Sequence, residues 1–265
     1  MAGKNRLIYY LKIWSLMSRN AFLIVLAQKK VLLIFLVAKV FRIIFYIIFL
    51  FFLVKGSQTI AGYNSTQTIF FFLSFMVVDT TAQFFFREVY RFRPLIVSGD
   101  FDLILTKPMN SLFRVLMGGA DVIDLITLPP LYLATYYVGG LLNPTLLGTL
   151  SYLLLLFNGL LLATALHIAV ISLGIITLEI DNTIMIYRDI SAMGKFPVDI
   201  YKEPLKGFLT FLVPVAVMMT FPAKAFLGLL GFSGIIISFS LAAIFMFISL
   251  KFWNYALKQY TSASS

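Results

Sequence analysis

The chain of 265 residues contains no cysteine and a single histidine. Without cysteine it can form no disulfide, no thiolate nucleophile and no cysteine-based metal site, and one imidazole cannot build a histidine-rich metal site. Charge is also scarce, since 12% of the residues are Asp, Glu, Lys or Arg, whereas a soluble domain usually carries about 25%. A chain with so little charge cannot cover a water-facing surface.

Apolar residues make up 61% of the chain, and the mean hydropathy is +0.97. A membrane-spanning helix needs about 20 mostly apolar residues. Six runs are candidates: Val31–Val54, Ile69–Phe86, Leu112–Val138, Thr149–Leu178, Leu205–Phe221 and Phe232–Trp253. The sequence therefore predicts an all-α, polytopic membrane protein with about six transmembrane helices. One domain over residues 1–265 is expected, with the membrane region at 31–255.

The first 30 residues have a different pattern. Lys12 and Arg19 interrupt the apolar residues, and the polar positions recur at helical spacing opposite leucines. This pattern predicts an amphipathic helix that lies on the membrane surface and ends near Lys29-Lys30. The alternative is a poorly formed additional span.

The distribution of basic residues predicts the orientation. If the N-terminus is inside, nineteen Lys and Arg residues lie on the inner side, and only Lys55 and Lys224 lie outside. The positive-inside rule then places both termini in the cytoplasm. The net charge of +10 comes from residues that flank apolar runs, which indicates contact with anionic lipid rather than nucleic acid.

Asp121 and Asp124 are the most suggestive acidic pair, because a spacing of three places both on one helix face. Membrane transferases use paired Asp residues to hold Mg²⁺ at a diphosphate, but no second acidic cluster follows here. Interhelical pairing or the lining of a polar cavity is the favoured alternative. No metal site and no catalytic residue are predicted, and the Walker A, GxGxxG and GxSxG motifs are absent.

Three further intramembrane polar residues are Asp79, His167 and Glu179. If the chain were a small secondary transporter, these residues would form its ion pathway. His167 could equally form a hydrogen bond to a neighbouring helix, which is the favoured interpretation. Inverted-repeat transporters should have broken helices in both halves, and here the breakers lie only in the C-terminal half.

The charged segment between Arg87 and Arg114 separates two predicted spans. Arg93-Pro94 should end the incoming helix, and Ser98-Gly99-Asp100 is typical of a turn that starts a new one. A short apolar element then precedes Lys107-Pro108. Such an element could dock a cytoplasmic partner, or it could simply position the spans.

The run IVSGDFDLILTKPMNSLF resembles the signature of ABC-2 type permeases, the membrane subunits of ATP-binding-cassette exporters. One branch of that family has the pattern G-x-hydrophobic-D-x-x-L-x-(R/K)-P in its first cytoplasmic loop. The matching residues here are Gly99, Asp102, Leu105, Lys107 and Pro108. The later run FPVDIYKEPLKGFLTFLVPVAVMMTFPAKAFLG also resembles that branch. Lys107 stands where arginine is commoner; both carry positive charge, but only arginine presents a planar hydrogen-bonding fork.

The resemblance implies a non-catalytic permease subunit that forms a translocation path for export. A separate cytoplasmic ATPase would bind ATP and Mg²⁺, so no cofactor is expected in this chain. The implied complex has two permeases, identical or related, and two ATPases in the cytoplasmic (inner) membrane of a prokaryote, surrounded by lipid. The predicted coupling residues within segment 87–114 are Arg91, Arg93, Gly99, Asp100, Asp102, Leu105, Lys107 and Pro108.

Helix breakers cluster near the predicted outer end of the fifth span. They include Pro214, Pro222 and Gly228. They suggest half-helices that dip back into the membrane between the fifth and sixth spans, which is tolerated where protein or a cavity covers the backbone. The predicted outer-gate residues are Pro214, Phe221 and Pro222; the alternative is an ordinary kinked loop. The sequence does not select a substrate.

Overall fold

The structure is a computed structural model that describes residues 3–261. It is 84% helical, and the part described contains no β-strand, which confirms the all-α prediction. The helices are α1 (Gly3–Ala27), α2 (Lys29–Ser57), α3 (Ser65–Phe86), α4 (Phe92–Val97), α5 (Asp100–Thr106), α6 (Ser111–Leu116), α7 (Val122–Gly140), α8 (Leu146–Thr177), α9 (Ile180–Ala192), α10 (Leu205–Leu212), α11 (Ala216–Phe226) and α12 (Phe232–Gln259).

Five helical segments in the described part are long and apolar enough to cross a membrane. They comprise α2, α7, α8, α12 and a continuous segment, Ser65–Val97, in which a 3₁₀ turn at Arg87–Arg91 joins α3 to α4. Helix α1 is not among them. The prediction of a polytopic membrane protein is therefore confirmed.

Side-chain caps set where several helices begin. Asn64 and Gln67 form a reciprocal capping box at the start of α3, and Thr145 caps α8 through the backbone N–H of Gly148. Such caps satisfy N–H groups that have no partner inside the helix. The turns at residues 58–64 and 141–145 lie together with residues 227–231 at one end of the bundle, which we call the Tyr63 end.

The opposite end, called the basic end, contains α1, segment 87–121 and Tyr260. Helix α1 packs across this end: Trp14 lies 6.1 Å from Phe84 between ring centroids, and the backbone N–H of Ala120 donates to Ser18 Oγ at 3.1 Å. It ends at Ala27, next to the predicted Lys29-Lys30 boundary. This position agrees with a surface helix, which stays a prediction.

The third predicted span, Leu112–Val138, starts too early. Helix α6 ends at Leu116, and α7 begins only at Val122. Two glycines interrupt the helix between them, and at Gly119 a Cβ would lie 3.0 Å from the Ala21 Cβ of α1. The apolar run therefore contains a break in which α1 approaches the chain closely.

Helix α8 forms the centre of the bundle. A Cβ at Gly159 would lie 2.6 Å from the carbonyl oxygen of Met218, so glycine allows α11 to approach closely. On another face, Asn158 Nδ2 donates to the carbonyl of Ser238 in α12 at 3.0 Å. Small residues and a side-chain amide thus hold α8 between two neighbours.

The fifth crossing differs from the predicted span, Leu205–Phe221. Helix α9 starts beside the end of α8, where Ile180 contacts Gly174, and it then runs back along α8 so that Tyr187 packs on His167. Its continuation reaches the Tyr63 end, because Tyr63 donates a hydrogen bond to Asp199. Residues 180–200 therefore cross the bundle.

The apolar segment that follows is bent by 80° between α10 and α11. Lys206 near its start and Lys224 near its end both bind the carboxylate of Asp199, at 3.0 and 2.6 Å. The two ends of a span are separated by about 30 Å, so they could not share one carboxylate. The segment is re-entrant: it leaves the Tyr63 end, turns at residues 213–215 and returns. Lys202 and Lys206, predicted on the inner side, belong to the Tyr63 end.

Candidate functional site

The segment between α3 and α7 is folded around two buried rings. Phe92 of α4 and Phe101 of α5 are both fully buried and meet edge to face at 5.2 Å between centroids. Phe101 also packs on Tyr260, which follows α12, at 5.1 Å. Helix α5 is thereby packed against the residue that follows the last transmembrane helix.

Gly99 makes the turn between α4 and α5. Its φ of +78° lies in the left-handed region that favours glycine, and a Cβ there would meet open space. Beside it, Ser98 Oγ donates to the Pro94 carbonyl at 2.8 Å and to Asp100 Oδ2 at 2.7 Å. The predicted turn at Ser98-Gly99-Asp100 is confirmed.

Asp102 is directed towards its own chain. Burial and the neighbouring carboxylate of Asp102 raise the pKa of the Tyr260 hydroxyl. The predicted coupling residue Asp102 therefore contacts the end of α12 in this structure. The contact helps to seat α5 on the bundle.

The opposite side of this segment is open to solvent. Val97, Leu103 and Leu105 are 67%, 60% and 39% exposed. Clusters of exposed apolar side chains ringed by polar ones mark interaction surfaces. The surrounding predicted residues that are exposed as well are Arg91, Arg93, Asp100, Lys107 and Pro108.

Two ion pairs hold this surface to the transmembrane helices. Arg93 lies 3.3 Å from Asp181 at the start of α9, and Arg114 lies 2.7 Å from Glu88. The first pair is exposed and contributes little to stability, whereas the second is largely buried. The surface therefore rests on α9 as well as on α12.

Asp121 and Asp124 are each held by a cation from another helix. Asp121 caps α7 through the backbone N–H groups of Ile123 and Asp124, and its other oxygen lies 3.0 Å from Arg87 Nε. Asp124 is bound by Lys39 of α2. Both carboxylates are buried. The favoured alternative of interhelical pairing agrees with these contacts.

The same contacts argue against a metal-dependent transferase. Lys39 and Arg87 occupy the positions from which Mg²⁺ would be held, and the ion would have to displace them. In residues 3–261 no group of three or more His, Asp or Glu side chains could hold a metal ion.

Of the other predicted intramembrane residues, His167 is buried and hydrogen-bonded. Its Nδ1 donates to the Ala163 carbonyl at 2.7 Å, so its Nε2 accepts from the Tyr90 hydroxyl at 3.1 Å. Asp79 accepts from Gln83 at 2.7 Å. Both residues thus have partners within the bundle, as buried polar groups require.

The predicted intramembrane candidate Glu179 lies in the turn between α8 and α9. Glu179 is exposed at the start of α9, where its carboxylate accepts from Asn182 at 2.6 Å and its carbonyl accepts from Thr183. Leu178 before it adopts a positive φ of 58° and ends α8. The turn places Glu179 at the basic end, so it does not join Asp79 and His167 in a pathway.

Asp199 was missed by sequence reasoning and is the centre of the Tyr63 end. It binds Lys206, Lys224 and the Tyr63 hydroxyl, the last at 3.0 Å. Burial, with the neighbouring carboxylate, raises the pKa of Tyr63, which therefore stays a hydrogen-bond donor. Tyr63 and Asp199 are 136 residues apart in the sequence, so no local pattern indicated this cluster.

The predicted gate residues lie along the re-entrant segment. Pro214 is buried at the bend, and Phe221 and Pro222 lie midway along α11. The backbone N–H of Val198 donates to Thr220 Oγ1 at 3.2 Å. The α11 half of the segment is thus packed against the fifth crossing, whereas Phe211 and Leu212 at the end of α10 are exposed.

These features define a class. The chain crosses the membrane repeatedly, pairs its buried carboxylates with its own cations, and presents a rigid exposed element at one end. Such a molecule is a polytopic membrane protein with an exposed helical element at one end.

A family model described as ABC-2 family transporter protein matches residues 13–264. The chain belongs to this family and is a permease-type membrane subunit of an ABC transporter. Searches of curated proteins and of solved structures give no match.

Proposed function

We propose that this chain is the permease subunit of an exporter and that a separate cytoplasmic ATPase drives it by docking on α4 and α5. The observation that carries the proposal is the exposure of Val97, Leu103 and Leu105 on an element whose other side is locked to α12 through Phe101 and Tyr260. An exposed apolar surface favours a partner, and the locked side transmits its movement. The chain itself would hydrolyse no ATP.

The direction of coupling follows from the packing. A partner that moves α5 also moves α12 through Tyr260, and it reaches α9 through α4, which contacts both α5 and α9. Helix α9 leads to Asp199, which binds both ends of the re-entrant segment. Rigid-body movement of this kind would open the Tyr63 end as an outer gate that includes Pro214, Phe221 and Pro222.

A second permease subunit would complete the path. In the most apolar window of α2, no residue is buried within the chain. Its exposed aromatic residues include Phe41, Phe45 and Phe52. This face suits either lipid or a second permease, identical or related. In this arrangement both termini are cytoplasmic and the membrane is the inner membrane of a prokaryote.

The experiment is affinity purification of the tagged chain from its native membrane in mild detergent. We expect an ATP-hydrolysing chain to be recovered in stoichiometric amount. The double variant Leu103→Glu and Leu105→Glu should lose it, because two charges cannot enter an apolar contact. Leu178→Glu is the matched control, since Leu178 is 63% exposed at the same end. Undiminished recovery with the double variant would refute docking on α5.

A further inference from the structure

A cavity of about 650 Å³ opens on the outside of the bundle between α6, α8 and α12. We call it the lipid groove; the side chains along its length include Phe113, Phe157, Leu161, Met246 and Leu250. It is separate from the surface on α4 and α5, from the paired carboxylates and from the re-entrant segment. Its volume lies within the range of ligand-binding cavities.

The wall of the groove is apolar. Thr164 is a polar residue within it, and its hydroxyl donates to the Leu160 carbonyl at 2.8 Å, so its hydrogen is not available to a ligand. At the basic end of the groove, the Asn110 side chain accepts from Phe113 N–H and the Asn110 backbone donates to the Tyr10 hydroxyl. These groups are used within the protein.

Arg6 is the remaining polar group at this end. Its side chain is exposed, and it makes no salt bridge with the described residues. Helix α1 carries no acidic residue, and the nearby Glu88 is held by Arg114. Within residues 3–261, no acidic side chain forms a salt bridge with this positive charge at the mouth of the groove.

The length of the groove fits one leaflet. Phe157 and Ile168 both line it and are eleven residues apart on α8, which corresponds to about 16 Å along a helix. Half of a hydrocarbon core is about 15 Å thick. An acyl chain could lie along the wall while its headgroup stays at Arg6.

We propose that the lipid groove binds one acyl chain of an anionic phospholipid from the leaflet at the basic end, with Arg6 bound to the phosphate. A guanidinium binds phosphate oxygens through paired hydrogen bonds. The lipid fills the space between α1 and the α8–α12 pair. It is therefore an integral part of the subunit and is separate from the transported substrate.

The test uses native mass spectrometry of the full-length protein in detergent, with phosphatidylglycerol or phosphatidylcholine of identical chains as probes. The wild type should retain phosphatidylglycerol about fivefold better, as one basic residue at an anionic headgroup provides. Arg6→Gln should abolish this preference, whereas Lys12→Gln, which removes an equal charge from α1 outside the groove, should keep it.

A second pair of variants tests the acyl-chain site. Leu161→Trp should fill the groove and lower the retention of both lipids, whereas Leu153→Trp, on an exposed part of α8 outside the groove, should not. Size-exclusion chromatography verifies that each variant is folded. Equal effects of Arg6→Gln and Lys12→Gln, or unchanged retention with Leu161→Trp, would overturn the proposal.

Discussion

At the basic end, Asp121 and Asp124 each bind one cation from another helix, whereas at the Tyr63 end Asp199 alone binds two lysines and a tyrosine. The first arrangement joins spanning helices to each other. The second joins both ends of a re-entrant segment to the crossing beside it. Ion pairs thus join helices that stay together at the basic end. At the Tyr63 end they join parts that can separate.

The difference matters because ion pairs respond to their surroundings. Asp124 and Lys39 are both buried, so separating them would leave two charges without water. Lys206 is 39% exposed and can return to water when it leaves Asp199. We infer that the basic end transmits movement as a rigid unit, while the Tyr63 end can open.

Removing the ion pair between Asp124 and Lys39 should give the largest effect on stability. Asp124→Asn leaves Lys39 buried without a counter-charge and should lower the free energy of unfolding by about 3 kcal/mol. Adding Lys39→Met should recover much of the loss, because the unpaired charge is then removed. Thermal unfolding in detergent measures both. Strictly additive losses in the double-mutant cycle would show that the two residues are not coupled.

Asp199→Asn should have a smaller effect on stability, about 2 kcal/mol, because Lys206, one of its two lysines, can reach water. Its effect on opening should be clearer, since both ends of the re-entrant segment are released. The cysteine-free chain allows a reporter, Leu229→Cys, in the turn after α11. Labelling of that cysteine by a maleimide should become faster. An unchanged labelling rate would contradict the difference between the two ends, because Asp199 would then hold its partners as firmly as Asp124 does.

Tyr63→Phe removes one of the three partners of Asp199 and leaves the ring on Phe71, 4.7 Å away between centroids. A hydrogen bond to a charged group contributes about 1.5 kcal/mol, so labelling of the same reporter should rise less than with Asp199→Asn. In an Asp199→Asn background the substitution should add little. A larger effect than that of Asp199→Asn would contradict the central role of this carboxylate.

Gly99→Ala should have the smallest effect, about 1 kcal/mol, because alanine is strained at a positive φ although nothing obstructs its Cβ. Recovery of the ATPase should fall slightly, since α5 would be tilted. The control is Gly140→Ala, where a Cβ also meets open space and φ is not positive. Equal behaviour of the two variants would show that the turn at Gly99 does not position α5.

Much of the fold follows from the sequence because long apolar runs can only be spans. The runs at Thr149–Leu178 and Phe232–Trp253 lie close to α8 and α12. The turn at Ser98-Gly99-Asp100 depends on local residue types, so the sequence predicts it equally well. The family resemblance, confirmed over residues 13–264, also depends on short local motifs.

The fifth crossing could not be predicted from the apolar runs of the sequence. Helix α9 carries Asp181, Arg188 and Asp189 and is less apolar than the segment after it, so hydropathy assigned the span to Leu205–Phe221. One face of α9 packs on the bundle through Ile184 and Tyr187, the latter against His167, whereas its three charged residues lie on the exposed face. These are long-range contacts that no local pattern contains.

The most direct test of the account is the side of the membrane on which Lys202 lies. Single cysteines at Lys202, Leu141 and Leu103 would be labelled with a membrane-impermeant maleimide in intact and in permeabilised cells. We predict that Lys202→Cys behaves as Leu141→Cys, at the Tyr63 end, and opposite to Leu103→Cys. If Lys202→Cys behaved as Leu103→Cys, residues 180–200 would not cross the membrane, and the re-entrant segment would be a single span.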